Sequence, residues 1–387
     1  MILPTIKLKE LASKLNLAVE KSKIRPQSGW IELESSDTGI HFKVSGTNYF
    51  LDAHIDIENM VSNEKIHATI LAETFIPLVA KLDSDTINLY EKFNALIIET
   101  DKSSYNFPII KELGKVKSLT DNVNWQSTEN SISSTIDSNS LVSIASVNSK
   151  GLLDSMFTQE IQNYIYVDEK GAITFTENIY VNNFNTEMSS PMKFLLDITQ
   201  AKLLEIFKDE PQPIIIHLVN RALNNSNSDS SIILYFTNST NTISLYFKTA
   251  TQDMTDRFPS IRLRALTENS SKTHVILDKK ALDKALARLM VFDKKFDITV
   301  LDYSKLVFKE NELELISIKN NNFEKIPYIS STNAFNHESI IRFADLVKQL
   351  KAINSKEVDI SYGDRPAIIL NSDIYQVIPE IITKERI

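Results

Sequence analysis

Residues 75–110 read FIPLVAKLDSDTINLYEKFNALIIETDKSSYNFPII. The apolar pattern predicts a helix over residues 75–82, followed by strands over 86–90, 95–100 and 105–110. The same order of one helix and three strands occurs twice more along the chain. A repeat of this size predicts three tandem α+β domains of similar architecture. The two further copies cover residues 201–208, 214–219, 231–236 and 242–248, and then 340–351, 358–362, 367–370 and 374–381.

A second helix precedes each of these blocks, and it begins near Thr5, Asp137 and Asp278. Asp137 and Asp278 are predicted N-caps, because a carboxylate there accepts hydrogen bonds from the free amides of the first turn. Short alternating strands between the helices predict antiparallel sheets covered on one side. The boundaries between successive domains, here called seams, are predicted in the polar, aperiodic stretches 118–130 and 254–272. The predicted domains are 1–122, 123–265 and 266–387.

The composition is that of an ordinary globular protein. The chain has 387 residues, of which 42% are hydrophobic and 24% charged, and it contains no cysteine. No apolar run approaches the roughly 20 residues of a membrane span. We therefore expect a cytoplasmic protein without disulfide bonds. Low glycine with abundant asparagine, lysine and isoleucine indicates an AT-rich genome, such as that of a bacterial virus.

Charge is distributed unevenly, although the formal net charge is −8. Residues 5–25 carry six basic residues against two acidic ones, 278–295 carry six against three, and 340–356 carry four against one. The other three predicted helices are slightly acidic. The first and third domains therefore have basic helices, while the strands of the chain are acidic overall.

The basic residues of these helices fall on one face. Leu282, Ala285, Leu286 and Leu289 form an apolar stripe, and Lys280, Lys284 and Arg288 share the opposite face. Lys7, Lys14 and Lys21 lie together in the same way on the first helix. For any single helix, a solvated surface face is the better explanation, but the recurrence in a repeat favours an anionic partner.

No motif of catalysis is present. The 7 glycines form no phosphate-binding loop or nucleophile elbow, and the six histidines lack the spacing of a metalloprotease. Asp83 and Asp85 match a solvated turn better than a magnesium site. We expect no catalytic residue, no metal and no cofactor, although an enzyme with a dispersed metal site is an alternative.

Two short motifs give a family resemblance. Residues 256–262, DRFPSIR, resemble the Gly-Arg-Phe-Pro-Asp-Tyr-Arg stretch of the bacterial DNA polymerase III beta subunit, the sliding clamp. Residues 375–381, YQVIPEI, are similar to the closing Tyr-x-x-Met-Pro-hydrophobic segment of that family. The order of elements agrees over essentially the whole chain.

The resemblance implies the DNA clamp fold and a ring. Two three-domain subunits would join head to tail, with helices lining the hole and antiparallel sheets outside. The implied partners are double-stranded DNA held without sequence specificity, a replicative DNA polymerase and a clamp loader. The residues expected to face DNA are Lys7, Lys14, Lys21, Lys23, Arg25, Lys280, Lys284, Arg288, Arg342 and Lys348.

The family's pocket for a hydrophobic peptide lies between its second and third domains. Residues 176–181, TENIYV, stand where the family has Thr-Asp-Gly-His-Arg-Leu, so a glycine and two polar side chains are lost. The alternative for Val181, Ile261 and Ile378 is an ordinary place in the core. The implied pocket residues are Ile161, Thr176, Asn178, Val181, Pro259, Ile261, Ile378 and Pro379.

The implied subunit contact joins the last strand of the first domain to the end of the third domain's first helix. Tyr105 and Phe107 supply one side, and Val291 and Phe292 supply the other. A place in the intradomain core is an equal alternative for the two aromatic residues. For the whole chain, the alternative to a clamp is a structural or adaptor protein of tandem β-rich domains without a role on DNA.

Overall fold

The computed structural model describes most of the chain. The described residues are 1–20, 25–57, 65–110, 131–149, 159–176, 181–221, 231–267, 273–293, 303–318 and 321–381. No described helix has the length and apolar character needed to cross a membrane.

Seven α-helices lie in the described part of the chain: α1 Thr5–Ala18, α2 Ala72–Ala80, α3 Ser138–Ser149, α4 Gln252–Arg257, α5 Ser260–Thr267, α6 Lys279–Asp293 and α7 Phe343–Leu350. Short 3₁₀ helices occupy Pro26–Gly29, Glu160–Asn163 and Ala201–Phe207.

The two predicted N-caps are confirmed. The amide of Ser140 donates to Asp137 Oδ2 at 3.1 Å, and the amide of Ala281 donates to Asp278 Oδ1 at 2.6 Å. Each carboxylate thus satisfies an amide of the first helical turn that has no partner within the helix.

Strands make up most of the remainder. They are β1 Ile2–Pro4, β2 Trp30–Ser35, β3 Gly39–Ser45, β4 Tyr49–Asp56, β5 His67–Leu71, β6 Thr86–Lys92, β7 Ala95–Glu99, β8 Ser104–Pro108, β9 Ser131–Ile136, β10 Tyr164–Asp168, β11 Gly171–Phe175, β12 Val181–Phe184, β13 Phe194–Asp197, β14 Ile214–Arg221, β15 Ser231–Thr237, β16 Ile243–Thr249, β17 His274–Asp278, β18 Ser304–Phe308, β19 Glu312–Ser317, β20 Phe323–Pro327, β21 Ser330–Thr332, β22 His337–Ile341, β23 Glu357–Ser361, β24 Ala367–Asn371 and β25 Tyr375–Pro379.

The chain divides into two compact units. The first comprises residues 1–142, 188–194 and 202–252. It holds a four-stranded sheet of order β1-β6-β7-β8 and an eight-stranded sheet of order β5-β2-β3-β4-β16-β15-β14-β9. In the larger sheet β4 pairs antiparallel with β16, with Leu51 opposite Leu245, so one sheet contains strands of the first two predicted domains.

The second unit comprises residues 143–187, 195–201 and 253–387. Its nine-stranded sheet has the order β13-β10-β11-β12-β25-β24-β23-β17-β21, and its four-stranded sheet has the order β20-β19-β18-β22. Strand β12 pairs antiparallel with β25, with Val181 opposite Val377. The apolar stripe of α6 is buried in the core of this unit, as its spacing predicts.

Two predictions about the elements are wrong. The helix predicted from residue 340 begins at Phe343, because residues 337–341 form β22 with Ser339 and Ile341 buried. The stretch 254–272, predicted as an aperiodic seam, contains most of α4 and all of α5, since Phe258 and Leu263 are buried against the sheet. The seam at 118–130 lies outside the described residues.

Candidate nucleic-acid and partner-binding surfaces

Helix α6 presents the predicted basic face. Lys280, Lys284 and Arg288 are exposed at intervals of four residues, which places them on one side of the helix. In the described part of the chain, neither Lys280 nor Lys284 contacts a carboxylate. The two lysines therefore offer free positive charge to an anionic partner.

Arg288 is held by an acid from a neighbouring strand. Its Nε donates to Glu324 Oε1 at 2.7 Å and its Nη2 to Glu324 Oε2 at 2.8 Å. This hydrogen-bonded guanidinium holds the pKa of Glu324 below its ordinary value. Arg288 is thus a predicted DNA contact whose charge is already compensated within the chain.

Helix α1 carries Lys7, which is exposed, and Lys14, which is not free. Lys14 Nζ lies 2.5 Å from Glu210 Oε1, and Asn238 Nδ2 donates to Glu210 Oε2 at 3.3 Å. These side chains line a depression of about 300 Å³. On α1, Lys7 is therefore available to an anionic partner, whereas the charge of Lys14 is neutralised by Glu210.

The remaining residues predicted to contact DNA differ from one another in exposure and in ion pairing. Arg342 Nε donates to Asp345 Oδ2 at 2.6 Å within the start of α7, while Lys348 lies half-buried on the same helix. Arg25 is exposed immediately before a 3₁₀ helix. Lys21 and Lys23 lie outside the described residues.

Residues 258–261 include two of the predicted pocket residues, Pro259 and Ile261. Phe258 is buried, stacks on Tyr166 with ring centroids 4.9 Å apart, and meets Phe175 edge-on at 5.6 Å. Pro259 is half-buried, whereas Ile261 is 86% exposed. Ile261 therefore does not occupy an ordinary place in the core, which was the alternative to a pocket position, and it presents apolar surface to solvent.

A buried ion pair holds α5 against the sheet. Arg264 Nη1 and Nη2 donate to Asp168 Oδ2 and Oδ1 at 2.8 and 2.7 Å, and Nη2 also donates to the carbonyl of Gly171. At the end of the helix, Asn183 Nδ2 donates to Thr267 Oγ1 at 3.2 Å. Sequence reasoning missed these contacts because the partners lie 96 and 84 residues apart.

The other predicted pocket residues occupy different environments. Ile378 is fully buried in the core of the second unit, and Thr176 is also buried. Ile161 and Pro379 are half-buried. The backbone of Val181 pairs with β25, and Asn178 lies outside the described residues.

The predicted subunit contact falls on edge strand β8 and on the last turn of helix α6. Strand β8 is the edge of its sheet; Tyr105 on it is half-buried, while Phe107 is buried and packs edge-on against Phe75 at 5.6 Å. Val291 is 61% exposed on α6, and the side chain of Phe292 lies outside the described residues. Phe323, 57% exposed on edge strand β20, is an apolar residue that sequence reasoning missed.

Comparison of the whole structure with solved structures gives long matches. The chain superposes on the DNA polymerase III beta subunit of Thermotoga maritima with a TM-score of 0.73, at 14% sequence identity, over 99% of both chains. The chain has the DNA clamp fold. The beta subunit from the DNA polymerase of Streptococcus pyogenes matches this clamp fold with a TM-score of 0.73 and 16% identity over 99% of both chains.

The DNA polymerase sliding clamp of Bacillus subtilis gives a TM-score of 0.71 and 15% identity over 99% of this chain and 98% of that chain. No protein-family model matches the sequence, and neither does any curated protein sequence. The predicted fold class, α+β with antiparallel sheets, and the resemblance to the bacterial beta subunit are confirmed at the level of the fold.

Proposed function

We propose that this protein is a DNA sliding clamp, a non-catalytic processivity factor. Two copies joined head to tail form a ring around duplex DNA and tether a replicative polymerase and other clients. The observation that carries the proposal is the likeness to beta subunits over 99% of both chains. A clamp loader opens the ring, and the protein acts in the cytoplasm.

The free cations support contact with DNA that is weak and independent of sequence. Lys7, Lys280 and Lys284 are long, exposed side chains on helices, suited to phosphates and not to base edges. Each neutralised phosphate adds about 0.9 to the slope of log affinity against log salt, so a few contacts leave the ring free to move. Retention is then topological, and a tethered polymerase gains a high effective concentration.

The proposed ring has three domains per subunit, 1–122, 123–265 and 266–387. Its client pocket includes the surface around Pro259 and Ile261, where an exposed apolar side chain stands beside a rigidly held aromatic one. A short hydrophobic peptide is the proposed occupant, because burial of Ile261 gives association its apolar driving force.

The proposed subunit contact pairs edge strand β8 of one copy with edge strand β20 of the next. Among the described residues, each strand has a neighbouring strand on one side only. Val291 of α6 and Phe323 of β20 are exposed apolar residues on the second of these surfaces. A head-to-tail contact of two unlike surfaces closes into a ring when the rotation between copies returns to the start.

Retention on circular DNA tests the proposal. The purified chain is loaded on a nicked circular plasmid by a clamp loader and separated from free protein by gel filtration. We expect the protein to co-elute with the circle and to be lost after a restriction enzyme linearises it. Equal retention on circular and linear DNA contradicts a topological link and favours an ordinary binder. An adaptor without a role on DNA gives no retention on either.

A further inference from the structure

Two of the acids that contact the basic helices α1 and α6 come from other elements of the fold. Glu324 reaches Arg288 of α6 from edge strand β20 and uses both carboxylate oxygens. Glu210 reaches Lys14 of α1 from the turn after a 3₁₀ helix, and its second oxygen is fixed by Asn238. Both carboxylates are more buried than the cations they hold, with 27% and 16% exposure against 59% and 23%.

The paired and free cations share the same helix face. Arg288 stands one turn after Lys284 and two turns after Lys280, and all three are exposed. A duplex that approaches this face therefore meets two free ammonium groups and one guanidinium already engaged by a carboxylate.

We propose that Glu210 and Glu324 mask Lys14 and Arg288, so that the duplex is held by the unpaired lysines of these helices and not by every cation that faces it. The inference rests on the proposed binding of DNA. It assigns Arg288 and Lys14 a role different from that of Lys280 and Lys284, although the four residues look equivalent in the sequence.

The physical reason is competition between two anions for one cation. A phosphate must displace a carboxylate that makes two charge-assisted hydrogen bonds with the fork of Arg288. The displaced Glu324 would then be left as an unpaired negative charge beside the DNA backbone. Arg288 holds the pKa of Glu324 below its ordinary value, so the carboxylate is ionised at neutral pH. Each of these two ion pairs therefore reduces by one the number of DNA phosphates that the protein neutralises, and it weakens binding to DNA to that extent.

A double-mutant cycle on the full chain tests the masks. Binding to a short fluorescent duplex is measured by anisotropy over a salt series for the wild type, R288Q, E324Q and R288Q/E324Q. K284Q serves as the free-cation reference. E338Q is the matched control, since it also removes an acid from an ion pair, the one with Lys305 at 2.9 Å on another strand.

We expect K284Q to lower the salt slope by about 0.9, and R288Q to lower it far less. E324Q raises the slope by up to about 0.9, and this gain disappears in R288Q/E324Q, because it comes from Arg288 once that residue is released. E338Q leaves the slope unchanged. We expect the salt slopes of K14Q, E210Q and K14Q/E210Q to follow the same pattern.

Masking is overturned if R288Q lowers the slope as much as K284Q does, or if the effect of E324Q is the same with and without Arg288. In both cases the proposed binding of DNA stands, because K284Q still weakens it. A wild-type chain that shows no salt-dependent binding overturns the proposed function and the masks together.

Discussion

Arg264 of α5 and Asp168 form a buried ion pair. Their side chains are 14% and 10% exposed, and the guanidinium meets the carboxylate with two hydrogen bonds. Burying two charges costs solvation energy that only good geometry offsets, so the pair adds little net stability. Its larger effect is on position, because it fixes α5 and therefore the place of Ile261. No local pattern reveals such a pair, since its members are far apart in sequence.

Substitution of Arg264 by alanine should destabilise the protein strongly. Asp168 is then left as a buried charge without a partner, at a cost of about 3–5 kcal/mol in the free energy of unfolding, measured by urea denaturation. R264M combined with D168L should recover most of the loss, because both charges are removed. The matched control is R257A in α4, whose ion pair with Asp253 is 75% and 67% exposed and should cost less than about 1 kcal/mol. Equal losses in R264A and R257A contradict the argument.

Helices and strands that depend on residues close together in the chain could be predicted from the sequence. Those held in place by residues far away in the chain could not. The N-caps of α3 and α6 and the apolar stripe of α6 depend on residues a few positions apart, and all were predicted. Helices α4 and α5 were missed because Phe258 and Arg264 hold them against strands far away in the chain. The start of α7 was wrong because Ile340 continues a strand whose partner, β18, lies more than 30 residues earlier.

A row of aromatic rings crosses four neighbouring strands of the eight-stranded sheet. Phe50 of β4 lies 5.9 Å from Tyr246 of β16, Tyr246 lies 5.1 Å from Tyr235 of β15, and Tyr235 stacks on His217 of β14 at 4.3 Å. Directly opposite residues make each contact, which is the arrangement that stabilises antiparallel strands most. Burial in this row lowers the pKa of His217 and raises that of Tyr246 to about 12.

The row predicts a dependence of stability on pH. The folded pKa of His217 lies below the ordinary 6.5, so at low pH the unfolded chain binds a proton that the folded chain resists. The contribution of His217 is therefore complete above pH 6.5 and is lost as the pH falls through the folded pKa. In H217Q, the free energy of unfolding measured by urea should decline less on acidification. H67Q, on exposed edge strand β5, is the control, and an equal decline in H217Q and the wild type contradicts the prediction.

At the scale of the whole molecule, the repeat and the two motifs were sufficient to predict the clamp fold, because strand order and core pattern depend on the sum of many local signals. The candidate sites were less predictable. Basic side chains were located by their spacing, but whether a cation is free depends on acids such as Glu324, whose approach is decided by tertiary structure. The same holds for Phe323, which is 57% exposed on β20, since the edge position of this strand is decided by tertiary structure.

In the proposed ring of two copies, the next subunit covers the edge around β20 and the end of α6. V291D and F323D each place a carboxylate on this apolar surface, and in a head-to-tail dimer every substitution enters both contacts at once. We expect the wild type to sediment as a dimer and both variants as monomers that remain folded by circular dichroism. I329D is the matched control, because Ile329 is also an exposed apolar residue of the second unit, at 52%, but its backbone pairs with Ile276 of β17 in the other sheet. A monomeric wild type, or variants that stay dimeric, would exclude this surface as the subunit contact.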